Sequence, residues 1–267
     1  MAASADRTTL SAVERLAEQA GVTIMVVYGR EFDVTHKGDA SPVTEADHAA
    51  EDIIVAGLRA LDPTIPIVAE ESMAKGQGPA AVGRVFWLVD PLDGTKEFIR
   101  RNGDFTVNIA LIEDGKPVLG VVYAPARAKL YGGIIGQGAT RRDVSEKAAA
   151  ATPIRVRRAD EKALVAVASK SHRTPETDIY LNSLPISDSR SAGSSLKFCL
   201  VAEGSADIYP RFGTTMEWDT AAGDAVLRAA GGVVTTFDGK ALVYGKPGFA
   251  NPYFLARGDV NPSLLLK

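Results

Sequence analysis

The sequence predicts a layered α/β protein whose two halves differ in the order of their elements. In the first half, residues 1–150, apolar runs with a hairpin pattern stand apart from separate helices, which is typical of an α+β arrangement. In the second half, residues 151–267, short apolar runs alternate with helical stretches, which favours an α/β layer. Together the halves predict an αβαβα sandwich of two sheets with helices between and outside them.

The bulk properties are those of an ordinary globular protein. Of the 267 residues, 46% are apolar and 24% charged, and the net charge is −3. This charge argues against a DNA or RNA polymer as partner, although a local cluster or metals could still hold a small polyanion. The single cysteine, Cys199, excludes an internal disulfide and is interpreted as a core residue. Residues 1–21 lack an apolar signal region and no run of about 18 apolar residues occurs, so we expect neither a secretory signal nor a membrane span.

Two helices are predicted in the first half. The first covers residues 10–20, where apolar residues recur at helical spacing, and it is expected to stop at Gly21. Residues 22–27 continue either as a second helical piece or as a strand. Thr44, followed three residues later by Asp47, resembles a capping box and opens the second helix.

Apolar runs bounded by turn residues predict the remaining elements. In the first half the predicted strands cover residues 65–69, 85–89, 106–112, 118–123 and 130–135. Residues 143–151 are polar and rich in alanine, and they are the predicted link between the halves. In the second half we predict strands at 164–168, 206–209, 233–237 and 253–256, and helices at 175–184, 195–203 and 220–230.

Acidic residues stand at the ends of three of these elements. The strand at 85–89 is expected to end at Asp90, turn at Pro91 and present Asp93, while Glu70 and Asp219 flank other apolar elements. Carboxylates as close as Asp90 and Asp93 repel unless a cation lies between them, and oxygen ligands suit Mg²⁺ better than Zn²⁺. Each acid alone could be a turn residue, a solvated strand end or a helix N-cap. Their joint occurrence predicts a divalent-metal site.

Three motifs resemble the signature of the inositol monophosphatase superfamily, which comprises Mg²⁺-dependent, lithium-sensitive phosphatases. They lie at residues 90–95 (DPLDGT), 70–72 (EES) and 218–223 (WDTAAG). Residues 93–98 (DGTKEF), 193–199 (GSSLKFC) and 209–213 (YPRFG) are similar to the 3′(2′),5′-bisphosphate nucleotidase subfamily. Inositol phosphatases typically have Thr-Asn where this chain has Lys96-Glu97. The resemblance extends over nearly the whole chain and implies one domain with the sugar phosphatase fold.

The resemblance implies two Mg²⁺ ions and a weaker third. Glu70, Asp90 and the Leu92 carbonyl would hold the first ion. Asp90, Asp93 and Asp219 would hold the second, and the third would lie near Glu70.

The resemblance also implies the catalytic groups. Gly94 and Thr95 would offer backbone N–H groups to the scissile phosphate. Asp47 would accept a hydrogen bond from the Thr95 hydroxyl, which would orient or help deprotonate a metal-activated water, with Glu70 also counted as catalytic. The implied substrate contacts at this end of the site are Glu70, Leu92, Asp93, Gly94, Thr95 and Asp219, the last near the leaving oxygen.

A second phosphate needs a separate binding site. Ser194, Ser195 and Lys197 lie at a predicted helix start, where hydroxyls and an ammonium group could hold an anion. The alternative is an ordinary serine-capped helix with a solvated lysine. Residues 169–173 (SKSHR) are a further candidate for this role.

The resemblance implies that the chain hydrolyses adenosine 3′,5′-bisphosphate to AMP and phosphate, and the sulfated form, 3′-phosphoadenosine 5′-phosphosulfate, to adenosine 5′-phosphosulfate. One alternative is an inositol or sugar monophosphate phosphatase. Another is a non-catalytic nucleotide or metal sensor, and the complete set of acids argues against this second alternative. We expect a cytoplasmic protein. Homodimerisation stays open, as does the peripheral inner-membrane association that subfamily members can show.

Overall fold

The molecule has five layers that alternate between helices and sheets. The computed structural model describes residues 4–38, 42–145, 149–169 and 173–265. Within these ranges the chain forms a seven-stranded and a five-stranded sheet, and apolar clusters cover both faces of the larger sheet and the outer face of the smaller one. The predicted αβαβα sandwich is confirmed.

The first outer layer is a pair of helices packed on the larger sheet. Helix α1 is Arg7–Tyr28, and α2 is Glu45–Leu61 after a short ladder of Thr35–His36 (β1) with Pro42–Val43 (β2). Helix α2 begins with the predicted capping box, in which the Thr44 N–H donates to Asp47 Oδ2 at 2.8 Å. Because each helix has one apolar face, both helices bury that face against the sheet.

Helix α1 continues through Gly21, so the predicted stop is wrong and residues 22–27 are helical. A Cβ at position 21 would clash with the Tyr123 ring on the larger sheet. The glycine therefore permits close helix–sheet packing instead of ending the helix. The helix ends at Gly29, whose N–H donates to the Met25 carbonyl at 3.0 Å.

The larger sheet has the strand order β3-β4-β5-β6-β7-β8-β9, and only the β3–β4 pair is parallel among its described strands. Short helices follow two of the strands. The elements are Ile67–Ala69 (β3), Glu70–Ala74 (α3), Val85–Asp93 (β4), Thr95–Ile99 (α4), Thr106–Glu113 (β5), Lys116–Ala124 (β6), Lys129–Ile134 (β7), Gly138–Asp143 (β8) and Thr152–Ile154 (β9).

The end of β4 is irregular. The strand does not end at Asp90 as predicted but runs through Pro91 to Asp93, and its register against β5 shifts between the two acids. The chain then turns at Gly94, whose φ of 91° lies in the left-handed region that favours glycine. A strand irregularity of this kind re-aims side chains, and here it presents both carboxylates at one edge of the sheet.

The smaller sheet has the order β11-β10-β12-β14-β13, in which β10 pairs in parallel with β11 and β12. Helices α5 and α8 cover its outer face. The elements are Leu164–Ala168 (β10), Pro175–Asn182 (α5), Ile186–Ser191 (β11), Leu196–Ala202 (α6), Ile208–Arg211 (β12), Glu217–Ala229 (α7), Val233–Thr236 (β13), Phe254–Arg257 (β14) and Pro262–Leu265 (α8).

Helices α6 and α7 form the middle layer between the sheets. A Cβ at Gly120 on β6 would lie 2.5 Å from the Ala222 carbonyl oxygen, so α7 lies as close to the larger sheet as a glycine allows. Helix α7 begins at Glu217, which makes Asp219 its third residue and not the N-cap that the sequence left open. Cys199 on α6 is fully buried, in agreement with its predicted core role.

The predicted division into residues 1–150 and 151–267 stays a prediction. Strand β9 (Thr152–Ile154) belongs to the larger sheet by pairing with β8, although it follows the proposed link. None of the described helices combines the length and apolarity that a membrane crossing requires.

Candidate active site

Three carboxylates from separate parts of the chain meet at the edge of the larger sheet. Glu70 begins α3, Asp90 lies near the end of β4, and Asp219 lies in the first turn of α7. Each offers an oxygen, and these oxygens all lie within 4.8 Å of one another. The fold thus brings together three of the four predicted metal-binding carboxylates as one cluster, with Asp93 beside it.

Backbone hydrogen bonds orient the three acids. Asp90 Oδ1 accepts from the Leu92 N–H at 3.0 Å, and Asp219 Oδ2 accepts from the Met216 N–H at 2.8 Å. Helix α3, which positions Glu70, is capped at its N-terminus by a residue that is distant in the sequence. The buried Glu51 carboxylate of α2 accepts from the N–H groups of Glu71 at 2.7 Å and Ser72 at 2.8 Å. The backbone near each acid is therefore held in place, and this limits the directions that its carboxylate can take.

The acidic cluster carries more negative charge than the neighbouring cations balance. Burial raises the pKa of Asp90 well above its ordinary value, and the neighbouring charges of Glu70, Asp93 and Asp219 raise it further. Burial and the charges of Asp93 and Glu70 likewise raise the pKa of Asp219. Lys37 supplies one ammonium at the margin, 2.7 Å from Glu70 Oε1. A partly buried, oxygen-only donor set with this excess of negative charge fits a hard divalent cation.

Asp93 connects the two halves of the molecule. Its Oδ2 accepts from the Ser195 N–H at 2.8 Å and from Asn108 Nδ2 at 3.2 Å. Asn108 also lies 3.1 Å from Ser195 Oγ, which in turn donates to the Asp219 carbonyl at 2.7 Å. Burial is the main reason that the pKa of Asp93 rises to about 6. Sequence reasoning missed Asn108, because nothing in its local sequence marks its side chain as a contact of Asp93.

A threonine–aspartate pair lies beside the acids. Thr95 Oγ1 donates to Asp47 Oδ1 at 3.2 Å, which is the hydrogen bond expected from the sequence, and it also lies 3.4 Å from the Leu92 carbonyl. Asp47 Oδ2 is occupied by the N–H and hydroxyl of Thr44, each at 2.8 Å. Burial raises the pKa of Asp47 to about 6. Such a carboxylate is a competent proton acceptor near neutral pH.

Cationic side chains lie at the other end of the same cleft. Lys197 is only 4% exposed, its Nζ donates to the Ser194 carbonyl at 2.6 Å, and it lies 5.3 Å from the centroid of the Tyr209 ring. Burial lowers the pKa of Lys197 to about 8. The lining of the cleft also includes Glu70, Asp93, Gly94, Thr95, Lys96, Ser194, Arg211 and Asp219.

Arg211 is a cleft residue that sequence reasoning missed. Its Nη2 donates to the Thr214 carbonyl at 3.2 Å, while its buried Nε has no hydrogen-bond partner among the residues described. A buried N–H without a partner is costly, and an anion in the cleft would satisfy it. The sequence does contain a signal for this residue, because Arg211 is the only charged residue of the YPRFG motif at 209–213.

The predicted serines are bound within the protein. Ser194 Oγ lies 2.7 Å from the carbonyl oxygens of Asp93 and Asp104, and the N–H and hydroxyl of Ser195 are used by Asp93 and Asp219. These hydrogen bonds hold the loop in place, and a role of Ser194 and Ser195 in binding the substrate stays a prediction. Of the candidate segment 169–173, Ser169 lines the cleft, and residues 170–172 lie outside the described part of the chain.

Comparisons with known proteins agree with this geometry. Residues 6–259 match the inositol monophosphatase family. The 3′(2′),5′-bisphosphate nucleotidase CysQ of Escherichia coli K12 is 49% identical over 248 residues, covering 92% of this chain and 98% of that protein. The crystal structure of CysQ from Bacteroides thetaiotaomicron superposes with a TM-score of 0.79 at 38% identity, covering 96% of this chain and 98% of that one. An inositol monophosphatase from Anabaena gives a TM-score of 0.77 at 29% identity, covering 97% and 94%.

Proposed function

This chain belongs to the inositol monophosphatase family, and from that premise we infer that it is a 3′(2′),5′-bisphosphate nucleotidase. Such a phosphatase hydrolyses adenosine 3′,5′-bisphosphate with water to give AMP and inorganic phosphate. The observation that favours this substrate is a single cleft lined both by the acids Glu70, Asp93 and Asp219 and by the cationic side chains of Lys197 and Arg211. A metal-assisted phosphatase needs the acidic residues, and the cationic residues are suited to the second phosphate of the ligand.

We propose that the acidic end holds two Mg²⁺ ions, with a third bound more weakly. Glu70, Asp90 and the Leu92 carbonyl would hold one ion, and Asp90, Asp93 and Asp219 another, while the third would lie near Glu70. The support is the oxygen-only donor set and the buried, mutually repelling carboxylates. When bound, Mg²⁺ neutralises charge on the phosphate and makes a water molecule more acidic.

Thr95 and Asp47 are proposed to handle the proton of the attacking water. The Thr95 hydroxyl donates its hydrogen to Asp47, so its lone pairs remain free to accept a hydrogen bond from water and hold it in line with phosphorus. The proton released on attack passes through this pair to Asp47, whose pKa of about 6 suits an acceptor. Backbone N–H groups of Gly94 and Thr95 orient the phosphate, and Asp219 lies on the side of the leaving oxygen.

The second phosphate of the nucleotide is proposed to bind at Lys197 and Arg211. Lys197 uses two of its three donors, on the carbonyls of Ser194 at 2.6 Å and Ala192 at 3.5 Å, and Arg211 Nε has no partner among the described groups, so both side chains have a donor to spare. Hydrolysis of 3′-phosphoadenosine 5′-phosphosulfate is the same reaction on a ligand with a similar second group, and it is proposed on the same grounds. Homodimerisation and peripheral membrane association stay predictions from the resemblance.

The test is phosphate release from adenosine 3′,5′-bisphosphate and from inositol 1-phosphate, each with Mg²⁺ and with a chelator. We expect Mg²⁺-dependent release with a strong preference for the bisphosphate. A preference for inositol 1-phosphate would contradict the role of Lys197 and Arg211. Nucleotide binding without phosphate release would instead favour the non-catalytic sensor.

A further inference from the structure

Asp104 lies outside the catalytic carboxylates but joins three segments of the chain. It precedes β5, and its Oδ1 forms an ion pair with Arg127, which lies in the turn between β6 and β7. Its Oδ2 accepts from the Gly193 N–H at 3.1 Å, and its carbonyl oxygen lies 2.7 Å from Ser194 Oγ. One residue of the larger sheet thus contacts the loop that leads from the smaller sheet into α6.

This loop, residues 193–195, has a demanding conformation. Ser194 has a φ of 48°, in the left-handed region where a residue other than glycine costs on the order of 1 kcal/mol or more. A Cβ at Gly193 would lie 2.5 Å from the Asp104 carbonyl oxygen, so only glycine allows this approach. Strained backbone persists where its surroundings fix it. The contacts of Asp104 with Gly193 and Ser194 are part of that fixation.

The loop controls the position of the cationic end of the cleft. The Lys197 ammonium donates to the Ser194 carbonyl at 2.6 Å, so the loop backbone holds the Lys197 side chain directly. The next residue, Ser195, donates its N–H to Asp93 at the acidic end. A displacement of the loop would therefore change the distance between the two ends of the cleft.

We propose that Asp104, supported by Arg127, is a positioning residue that sets the preference for substrates with two phosphates. By holding residues 193–195 against the larger sheet, it fixes Lys197 at the separation from Asp93 that a bisphosphate nucleotide spans. The proposal rests on the proposed function, since it assumes that Lys197 binds the second phosphate. A substrate with only the scissile phosphate does not use that separation.

The test compares kcat/KM for adenosine 3′,5′-bisphosphate with that for 3′-AMP, which lacks the second phosphate. In Asp104→Ala we expect the ratio of the two values to fall about tenfold, mainly through KM for the bisphosphate, while the rate with 3′-AMP changes little. Asp114→Ala is the matched control, because it also removes an aspartate from an ion pair with an arginine, here Arg84, but at the opposite end of β5 from Asp104. It should leave the ratio unchanged.

Two further variants separate positioning from folding. Asp104→Asn keeps an oxygen for the Gly193 N–H but loses the ion pair, and Arg127→Ala at a half-exposed position removes the same pair from the other side. Both should lower the ratio by the same smaller factor, and Arg127→Lys should restore much of it. These variants decide the question if Asp104→Ala does not fold.

The outcomes distinguish the proposal from its premise. A wild-type protein that prefers 3′-AMP would overturn both the second-phosphate site and the role of Asp104. A wild-type preference for the bisphosphate that survives in Asp104→Ala, or an equal loss on both substrates, would overturn the role of Asp104 alone.

Discussion

Removing divalent cations should make the stability of the protein fall as the pH rises from about 5 to about 7.5. The reason is the buried carboxylates, whose pKa values are raised in the folded state. A folded protein with raised carboxyl pKa values binds more protons than the unfolded chain at intermediate pH. The stability that this contributes is present at low pH and is lost as the pH rises through the folded pKa values.

Asp47 and Asp93 set the size of the effect. Both have an ordinary pKa of 3.8 and a folded pKa of about 6, and Asp47 is buried while Asp93 is half-buried. Of each shift of about 2 units, about 1 unit lies above pH 5 and corresponds to about 1.4 kcal/mol, so the two carboxyls together lose about 3 kcal/mol between the two pH values. Burial raises the pKa of Glu71 to about 7, and the pKa values of Asp90 and Asp219 are raised as well, so these three groups add to the loss. His48 has a lowered pKa and acts in the opposite direction, but it is largely solvated and cannot cancel the carboxylates.

The measurement is urea unfolding, followed by circular dichroism, at both pH values with a chelator and with Mg²⁺. We expect the metal-free protein to lose at least about 3 kcal/mol of unfolding free energy between the two pH values, and Mg²⁺ to restore stability at the higher pH only. Asp93→Asn should reduce the loss of unfolding free energy by the contribution of one carboxyl. The control Asp143→Asn, at a partly exposed ion pair, should not reduce that loss. Stability that is flat or rises with pH in the chelated protein would refute the reasoning.

Substitutions at three positions test the proposed roles by steady-state kinetics. Asp90→Asn should lower Mg²⁺-dependent turnover by roughly 10³-fold while leaving the metal-free protein at least as stable, because it removes one buried charge; unfolding of this variant would contradict that. Thr95→Val should lower kcat by about 10²-fold and Thr95→Ser much less, and equal losses would refute the hydroxyl's role. Arg211→Lys should raise KM for the bisphosphate about tenfold but not that for 3′-AMP, and a uniform increase would place Arg211 outside the second-phosphate site.

Elements with strong local signals were predictable from the sequence. The capping box at Thr44 and Asp47 and the hairpin turn at Asp114-Gly115 depend on residues that are neighbours in the chain. The stop at Gly21 failed because that glycine is required by a tertiary contact with Tyr123, which no local pattern reveals.

Three strands of the two main sheets were missed because they lack an apolar pattern. Strand β11 is almost entirely exposed at the edge of the smaller sheet, and β9 is exposed at the edge of the larger one. Strand β8, next to β9, has only one fully buried residue. Edge strands face water and tolerate polar residues, so their pairing depends on a neighbouring strand and not on their own composition.

The acids of the candidate site could be identified from motifs, but the contacts that hold them could not. Asn108 reaches Asp93 across 15 positions of sequence, and Asp104 reaches Gly193 across 89. The first contact arises only when β4 pairs with β5, and the second only when the two sheets are brought together. Motif reasoning therefore found the groups proposed to meet the scissile phosphate and missed the groups that determine their spacing.

That spacing explains why two ends of opposite charge can coexist in one cleft. In the described structure Lys197 forms no ion pair with an acid, because the Ser194 carbonyl and the Tyr209 ring hold its ammonium. A direct pair between Lys197 and Asp93 would neutralise a proposed metal ligand and occupy a proposed phosphate donor at the same time. By placing the Ser195 N–H on Asp93 and the Ser194 carbonyl on Lys197, the loop at 193–195 satisfies both groups without a direct ion pair between them. Each end then remains available for an external ion, which is the arrangement that a ligand with two phosphates and bound cations requires.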